Sequence, residues 1–357
     1  ARLFYMQVVE GSYYKEEADG NRIRSIPVQA TRGVMYDRNG VILAGSRPAY
    51  SVIMPVDRKG NTLSDDELQK LSVLLKMPVA DLKKKIEDNK RAFGAIYLAN
   101  DVGVDVATQI EEKKDDFPGI QIEVNPLRVY PLGAAGAQVL GYVGEAGPDD
   151  KDADGNPYTT ATLIGRAGIE RKYNQYLEGK NGSKTIEVNA SGQPVGYVGG
   201  TPAVSGNNIR LTLDANLQKA AEDAIDSQVK ILAKSGIYAT GASAVAIDPN
   251  SGAVLAMVSE PSYDPNRFSK GISTADWNQI INNKNHPMQN RTIASMYPPG
   301  SLFKVVTGAA ALEAKVMSPT ERIFDSGKHW LVDKRNAQGE AFGWIDFYEA
   351  LEKSDNV

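Results

Sequence analysis

The sequence predicts an α+β chain of two domains: a β-rich first domain with a small helical lobe, then a second domain entered through a strand, a helix and a β-hairpin. Three observations carry this. Residues 25–57 read as strands and turns and 120–124 alternate strictly, whereas apolar residues recur at helical spacing between 61 and 117. A glycine-rich run, 196–207, separates two differently patterned halves. At 357 residues the chain is longer than one typical core holds.

Residues 1–24 are polar and tyrosine-bearing and read as an extended lead-in. Asp37-Arg38-Asn39-Gly40 is a hairpin turn between two apolar runs, 34–36 and 41–44, and Ala49–Met54 reads as a further strand. In the lobe, Ser64 and Glu67 form a capping box ahead of Leu68, Leu71, Leu74 and Leu75. Two more helices follow, 79–89 and 105–114, and the lobe as a whole reads as helical. After the strand at 120–124 come a short helical stretch, an Asp/Gly/Pro-rich loop at 145–160, an amphipathic helix over 168–177 and a strand over 185–189. The domain boundary is placed at 205/206, giving a first domain of 25–205 with its lobe at 61–117 and a second of 206–357. The second opens with the strand 209–213. Asp214 then caps a helix expected to turn Leu217, Ala221 and Ile225 inward. Two apolar runs around Asp248-Pro249-Asn250-Ser251-Gly252 form a β-hairpin, and a polar, irregular segment covers 260–296.

Composition narrows the chemistry. A net charge of −4 argues against nucleic acid as the main partner, and Lys83-Lys84-Lys85 reads as a solvated helix face. The absence of cysteine excludes disulfides, thiolate catalysis and cysteine-ligated zinc. Only His286 and His329 could serve a serine–histidine–acid triad, and neither lies in a nucleophile-elbow context. No stretch reaches the length of a membrane-spanning helix. Both ends interrupt a pattern, so the chain reads as a segment cut at each end.

The chemistry concentrates at Tyr297-Pro298-Pro299-Gly300-Ser301-Leu302-Phe303-Lys304. A Pro-Pro-Gly turn precedes an alanine-rich apolar run, 305–313, that reads as a buried helix. Ser301 then lies in its first turn and Lys304 one turn on, so an amine stands where it can take the serine proton. Ser-x-x-Lys alone is weak. Ser12–Lys15 and Ser227–Lys230 match it too, and both read as accidental because neither follows a turn into an apolar helix. The second element is Ser354-Asp355-Asn356, a hydroxyl and an amide two residues apart at the end of an amphipathic run.

Ser-x-x-Lys with Ser-Asp-Asn belongs to the signature shared by class A β-lactamases and penicillin-binding proteins. The chain resembles the class B penicillin-binding proteins of the elongation type over nearly its whole length. Arg32–Gly40 is similar to the motif opening that family's pedestal. Gly165–Glu170 with Tyr173 and Leu177, then Glu187-Val188-Asn189, resemble the end of the pedestal. Pro261–Asn266 and Tyr297–Ser301 resemble the run into the active site.

The resemblance implies an elongated pedestal followed by a truncated transpeptidase domain, an α/β sandwich with a central antiparallel sheet. It implies a membrane-anchored, extracytoplasmic peptidoglycan D,D-transpeptidase acting in cell elongation. Ser301 is then the nucleophile, Lys304 the base, Ser354 a proton shuttle and Asn356 a ligand of the peptide amide, and the Ser301 N–H supplies half of an oxyanion hole. It implies β-lactams as mimics of the D-Ala-D-Ala stem peptide, no cofactor and no metal. The implied partners are a SEDS-type, RodA-like glycosyltransferase and an elongation scaffold on the pedestal. The family's Lys-Thr-Gly strand and membrane anchor do not occur in the sequence, so this segment alone is expected to be inactive. A D,D-carboxypeptidase, a serine β-lactamase and a non-catalytic docking module are the rival readings. Some 200 residues of pedestal ahead of the serine speak against the β-lactamase.

Overall fold

A computed structural model describes residues 23–55, 63–88, 95–147, 149–152, 155–158, 162–188 and 194–357. The lead-in up to residue 22, the Ser12–Lys15 match and Asn189 lie outside them. The chain is α+β and divides into two compact units, Ala1–Ala294 and Ser295–Val357.

In the first unit β1 (Ile23–Val28) pairs antiparallel with a later strand, Gly182–Val188, and β2 (Met35–Tyr36) turns into β3 (Ile42–Pro55). The turn forms as the sequence expects: Asp37 Oδ1 accepts the N–H groups of Asn39 and Val41 at 2.7 and 2.8 Å. The two strands read between 41 and 54 are one continuous β3, because Pro48 faces Pro126 across the ladder and interrupts nothing. The lobe contains α1 (Asp65–Leu75), with both halves of the Ser64–Glu67 capping box, and α2 (Val79–Asp88). It is not purely helical. β4 (Ala95–Val102) intervenes before α3 (Val104–Glu112), antiparallel to β3, and buries Ile96 and Leu98 against Leu68, Leu71 and Leu82. Lys85 is half-buried rather than solvated, because its Nζ donates to the Leu98 carbonyl at 2.9 Å; burial lowers its pKa.

β5 (Gln121–Val129) lies along β3, followed by α4 (Ala137–Leu140), β6 (Val143–Glu145) and β7 (Leu163–Gly165). The helix read over 168–177 is broken at Tyr173 (φ −109°) into α5 (Gly168–Lys172) and α6 (Asn174–Leu177), where Asn174 Oδ1 takes the Gly165 N–H at 2.9 Å. β8 (Gly182–Val188) pairs with β9 (Pro194–Thr201), so Gly196, Gly199 and Gly200 are part of a strand, not of a linker.

β10 (Ile209–Arg210) runs parallel to β2 and leads to α7 (Ala215–Lys234), capped by Asp214 as expected. Its buried face differs from the expected one. Gln218 exchanges two hydrogen bonds with the main chain of Met257, at 2.8 and 3.0 Å, and turns inward, which leaves Leu217 39% exposed. β11 (Ala242–Ile247) and β12 (Val254–Glu260) form the expected antiparallel hairpin. The segment read as irregular is partly helical: α8 (Asn266–Ser269), α9 (Thr274–Ile281), capped by Ser273, and α10 (Arg291–Ala294). Tyr263, Phe268 and Ile280 pack there on Ala137. No helix among the described residues is long and apolar enough to cross a membrane.

The second unit holds a 3₁₀ turn (Gly300–Leu302), α11 (Phe303–Glu313), the hairpin of β13 (Ile323–Asp325) with β14 (Gly343–Ile345), and α12 (Phe347–Glu352). α11 is helical as expected but not buried. Phe303 is 54% and Val305 66% exposed, and only Gly308 is buried. Within this unit the helix packs against α12.

Candidate active site

The second unit brings Ser301, Lys304 and Ser354 into one hydrogen-bonded chain. Pro299 is already in helical geometry (φ −67°, ψ −21°), and Gly300 then turns through φ +56°, a region closed to most side chains. This delivers Ser301 into the 3₁₀ turn and Lys304 into the first turn of α11. Ser301 is exposed and Lys304 half-buried.

Ser354 reaches them from the end of α12. That helix starts at Asp346, which forms a capping box with Glu349. It ends in a Schellman arrangement: the Ser354 N–H donates to Leu351 O at 3.2 Å and the Asp355 N–H to Ala350 O at 2.9 Å. The left-handed residue that such an ending requires is usually glycine. Here it is Ser354, at φ +56°. A non-glycine residue held there costs on the order of 1–3 kcal/mol and concentrates at functional positions.

The result is a bridge. Ser354 Oγ donates to Ser301 Oγ at 3.0 Å. Lys304 Nζ donates to Ser354 Oγ at 3.0 Å and to the Ser354 carbonyl at 2.5 Å. Among the described residues no direct hydrogen bond joins Lys304 to Ser301, so the lysine reaches the nucleophile through Ser354. Asn356, the fourth expected residue, does not touch this chain. Its Nδ2 donates to the Arg335 carbonyl at 2.9 Å and its N–H to Asn336 Oδ1 at 2.7 Å.

The rival motif behaves differently. Ser227 lies in α7, where its hydroxyl donates to the Asp223 carbonyl at 2.7 Å. The histidines sit in loops: His286 is left-handed at φ +44°, and His329 Nδ1 accepts the N–H groups of Leu331 and Val332, each at 3.1 Å.

Two supports escaped the sequence reading. Gly308 is where α11 and α12 touch, and a Cβ there would lie 2.8 Å from the Phe347 ring. A lone glycine inside an alanine-rich helix was the available signal for a close approach. Asn336, which holds Asn356, sits in a polar loop with no motif.

The family follows from this arrangement together with sequence similarity over both halves of the chain. Residues 27–211 match the penicillin-binding protein dimerisation domain and 242–357 the penicillin-binding protein transpeptidase domain. The chain belongs to the penicillin-binding proteins that carry a dimerisation domain ahead of a transpeptidase domain. Within that family it is 35% identical over 335 residues to the peptidoglycan D,D-transpeptidase MrdA of Escherichia coli K12, covering 92% of this chain and 51% of the relative. It is 31% identical to MrdA of Acinetobacter baumannii (92% and 47% covered) and 28% identical to the D,D-transpeptidase FtsI of Escherichia coli K12 (88% and 48% covered). A solved complex between penicillin-binding protein 2 and MreC from Helicobacter pylori is similar in structure, with a TM-score of 0.71 at 26% identity, covering 92% of this chain and 60% of that one. The chain thus spans about half the length of the curated relatives it matches.

Proposed function

We propose that the protein is a peptidoglycan D,D-transpeptidase of the elongation type, with Ser301 as its acyl-carrying nucleophile. The observation that carries this is the Ser301–Ser354–Lys304 bridge, with 3.0 Å between its side-chain atoms at each step. In this reading Ser301 Oγ bonds to the penultimate D-Ala carbonyl carbon of a donor stem peptide. Its proton passes to Ser354, whose own proton passes to Lys304, the general base. Lys304 then returns the proton through Ser354 to the departing amine nitrogen as the peptide C–N bond breaks and D-Ala leaves. An amine of a neighbouring strand then attacks the ester carbonyl and gives up a proton to the same relay; the ester C–O bond breaks, and Ser301 Oγ regains a proton through Ser354 as the cross-link forms. The Ser301 N–H stabilises the developing oxyanion. Asn356 uses Oδ1, which no donor meets among the described residues, to accept the peptide N–H.

The wider assignments extend from the relatives. We place residues 25–205 as the pedestal and 206–357 as the transpeptidase domain, on the extracytoplasmic side of a bacterial cell membrane. The Helicobacter pylori relative is seen with MreC, and a scaffold and a RodA-like glycosyltransferase are assigned here to the pedestal. β-lactams acylate Ser301 as dipeptide mimics.

Intact-mass analysis of the full-length protein after penicillin treatment tests the nucleophile. One adduct per molecule, mapped to Ser301 and absent from Ser301→Ala, is expected. An adduct that persists in Ser301→Ala overturns the assignment.

A further inference from the structure

Upstream of Ser354, between β13 and β14, lies a buried polar pair without an evident role in the chemistry. Asp325, at the end of β13, is 2% exposed and Asn336 is 5% exposed. Asp325 has no ion-pair partner among the described residues. Its carboxylate accepts three N–H donors instead: Gly327 N–H at 2.7 Å on Oδ1, and Phe342 N–H at 2.9 Å and Asn336 Nδ2 at 2.7 Å on Oδ2. Asn336 Nδ2 also donates to the Glu340 carbonyl at 3.1 Å. This fixes the sense of the amide, because a flipped Asn336 would set its oxygen against two acceptors. Oδ1 is therefore held facing the Asn356 N–H, which donates to it at 2.7 Å.

We infer that Asp325 and Asn336 are positioning residues for the acylation site, clamping the main chain at Asn356 so that Ser354 stays in its left-handed conformation with its hydroxyl between Ser301 and Lys304. The inference rests on the acyl-enzyme reading above. Its logic is mechanical. Ser354 is anchored on one side by the end of α12, through the Ser354 and Asp355 N–H groups. Beyond Asp355 the next anchors are both on Asn356: its N–H on Asn336 Oδ1, which holds the main chain, and its Nδ2 on the Arg335 carbonyl, which holds only the side chain. A left-handed serine relaxes unless both flanks hold it. A buried carboxylate orienting an amide, which in turn orients the main chain, supplies that second flank. An unmet buried carboxylate would be costly, so Asp325 and Asn336 depend on each other.

The test uses the full-length protein. Second-order acylation by a fluorescent penicillin is measured between about pH 5.5 and 8.5 for wild type, Asn336→Ala and Asn336→Asp, alongside thermal unfolding. Asn336→Ala is expected to slow acylation about tenfold or more at every pH, within the roughly hundredfold that a misplacement near 1 Å can cost. Asn336→Asp is nearly isosteric but sets a second carboxyl against Asp325. Charged groups on the neighbouring segments are Arg335, paired with Asp333; Lys328, whose main chain bridges to that of Arg335; Glu340, whose main-chain carbonyl Asn336 meets; Lys353, over the Phe342 ring; and Asp355, whose Oδ1 takes the Val357 N–H. Two facing carboxylates repel in alkaline solution and share one proton in acid. That proton restores the lost donor, while the second oxygen still accepts from Asn356. The Asn336→Asp rate, as a ratio to wild type at each pH, therefore climbs about fivefold or more toward acid. Merely structural support would not produce this rise.

Variants that acylate within about twofold of wild type at all pH values overturn the inference. So does a folded Asn336→Asp with a flat ratio, and so does a loss in both variants that only follows the unfolded fraction. Wild-type protein that takes no adduct on Ser301 defeats the acyl-enzyme reading instead.

Discussion

Ser354 combines two demands that conflict. As the residue ending α12 it should be glycine, and as the bridge between Ser301 and Lys304 it must carry a hydroxyl. The separation of the two is measurable. Ser354→Gly relieves the left-handed strain and is expected to leave stability unchanged or raise it by up to about 1 kcal/mol, offset in part by the freer unfolded chain. Ser354→Ala keeps the strain and gains nothing. Both lose the bridge, so both are expected to slow penicillin acylation by at least about a hundredfold, the scale of a lost proton-transfer partner. Unfolding midpoints and acylation rates of the two variants, side by side, check this. Equal acylation by Ser354→Gly and wild type would remove Ser354 from the proton path. The sequence made the residue types at 301, 304, 354 and 356 visible because motif spacing survives in one dimension. It did not show that Lys304 is linked to Ser301 through Ser354, since that depends on where α12 ends relative to α11.

Between elements, the distance from α11 to α12 sets the bridge. Their contact is Gly308 against Phe347, and a Cβ at 308 would stand 2.8 Å from the ring. Gly308→Ala brings opposing effects. Alanine favours the helix by about 1 kcal/mol, and overpacking costs about 1–3 kcal/mol. Stability should therefore fall only slightly, by about 1 kcal/mol. The ring and α12 must yield, and Ser354 lies two residues beyond the end of that helix. Acylation is expected to drop about tenfold while the unfolding midpoint moves by a few degrees. An unchanged rate would show that Phe347 rotates aside without moving α12. Element type was the most legible level of this chain: capping boxes, alternation and the hairpin turn all survive as local patterns. Strand β4 and the inward turn of Gln218 were not legible. Each is fixed by a partner distant in sequence, β3 in the first case and the Met257 main chain in the second.

At the scale of the molecule, the first unit is held by charges that local patterns do not reveal. Glu170 reads from sequence as one residue of an amphipathic helix. It is fully buried between Arg32 and Arg128, at 2.6 and 2.7 Å, with the Tyr130 hydroxyl donating to it at 3.1 Å. Burial, then the Glu170 charge, pushes the Tyr130 hydroxyl up, so it remains a donor. Segments 138 residues apart are tied at this point. A second carboxylate group in the same unit is not neutralised in this way. Glu260, at the end of β12, is half-buried. Its pKa is pushed up to about 7, first by burial and then by Asp226 and Glu222 on α7. Glu222 is itself raised, chiefly by burial. A carboxyl raised in the folded state binds its proton more tightly there than in the unfolded chain. The resulting penalty is absent below its ordinary value of 4.5 and complete above about 7, so stability falls as pH rises between them. Allowing for solvent screening at a half-exposed group, the effect is about 1–2 kcal/mol. Glu260→Gln removes it, since an amide does not ionise. The variant is expected to unfold roughly 2–6 °C above wild type at about pH 8 and together with it at about pH 4.5. Equal gains at both pH values would assign the effect to packing, and no gain at pH 8 would mean that water already screens the Glu260 charge.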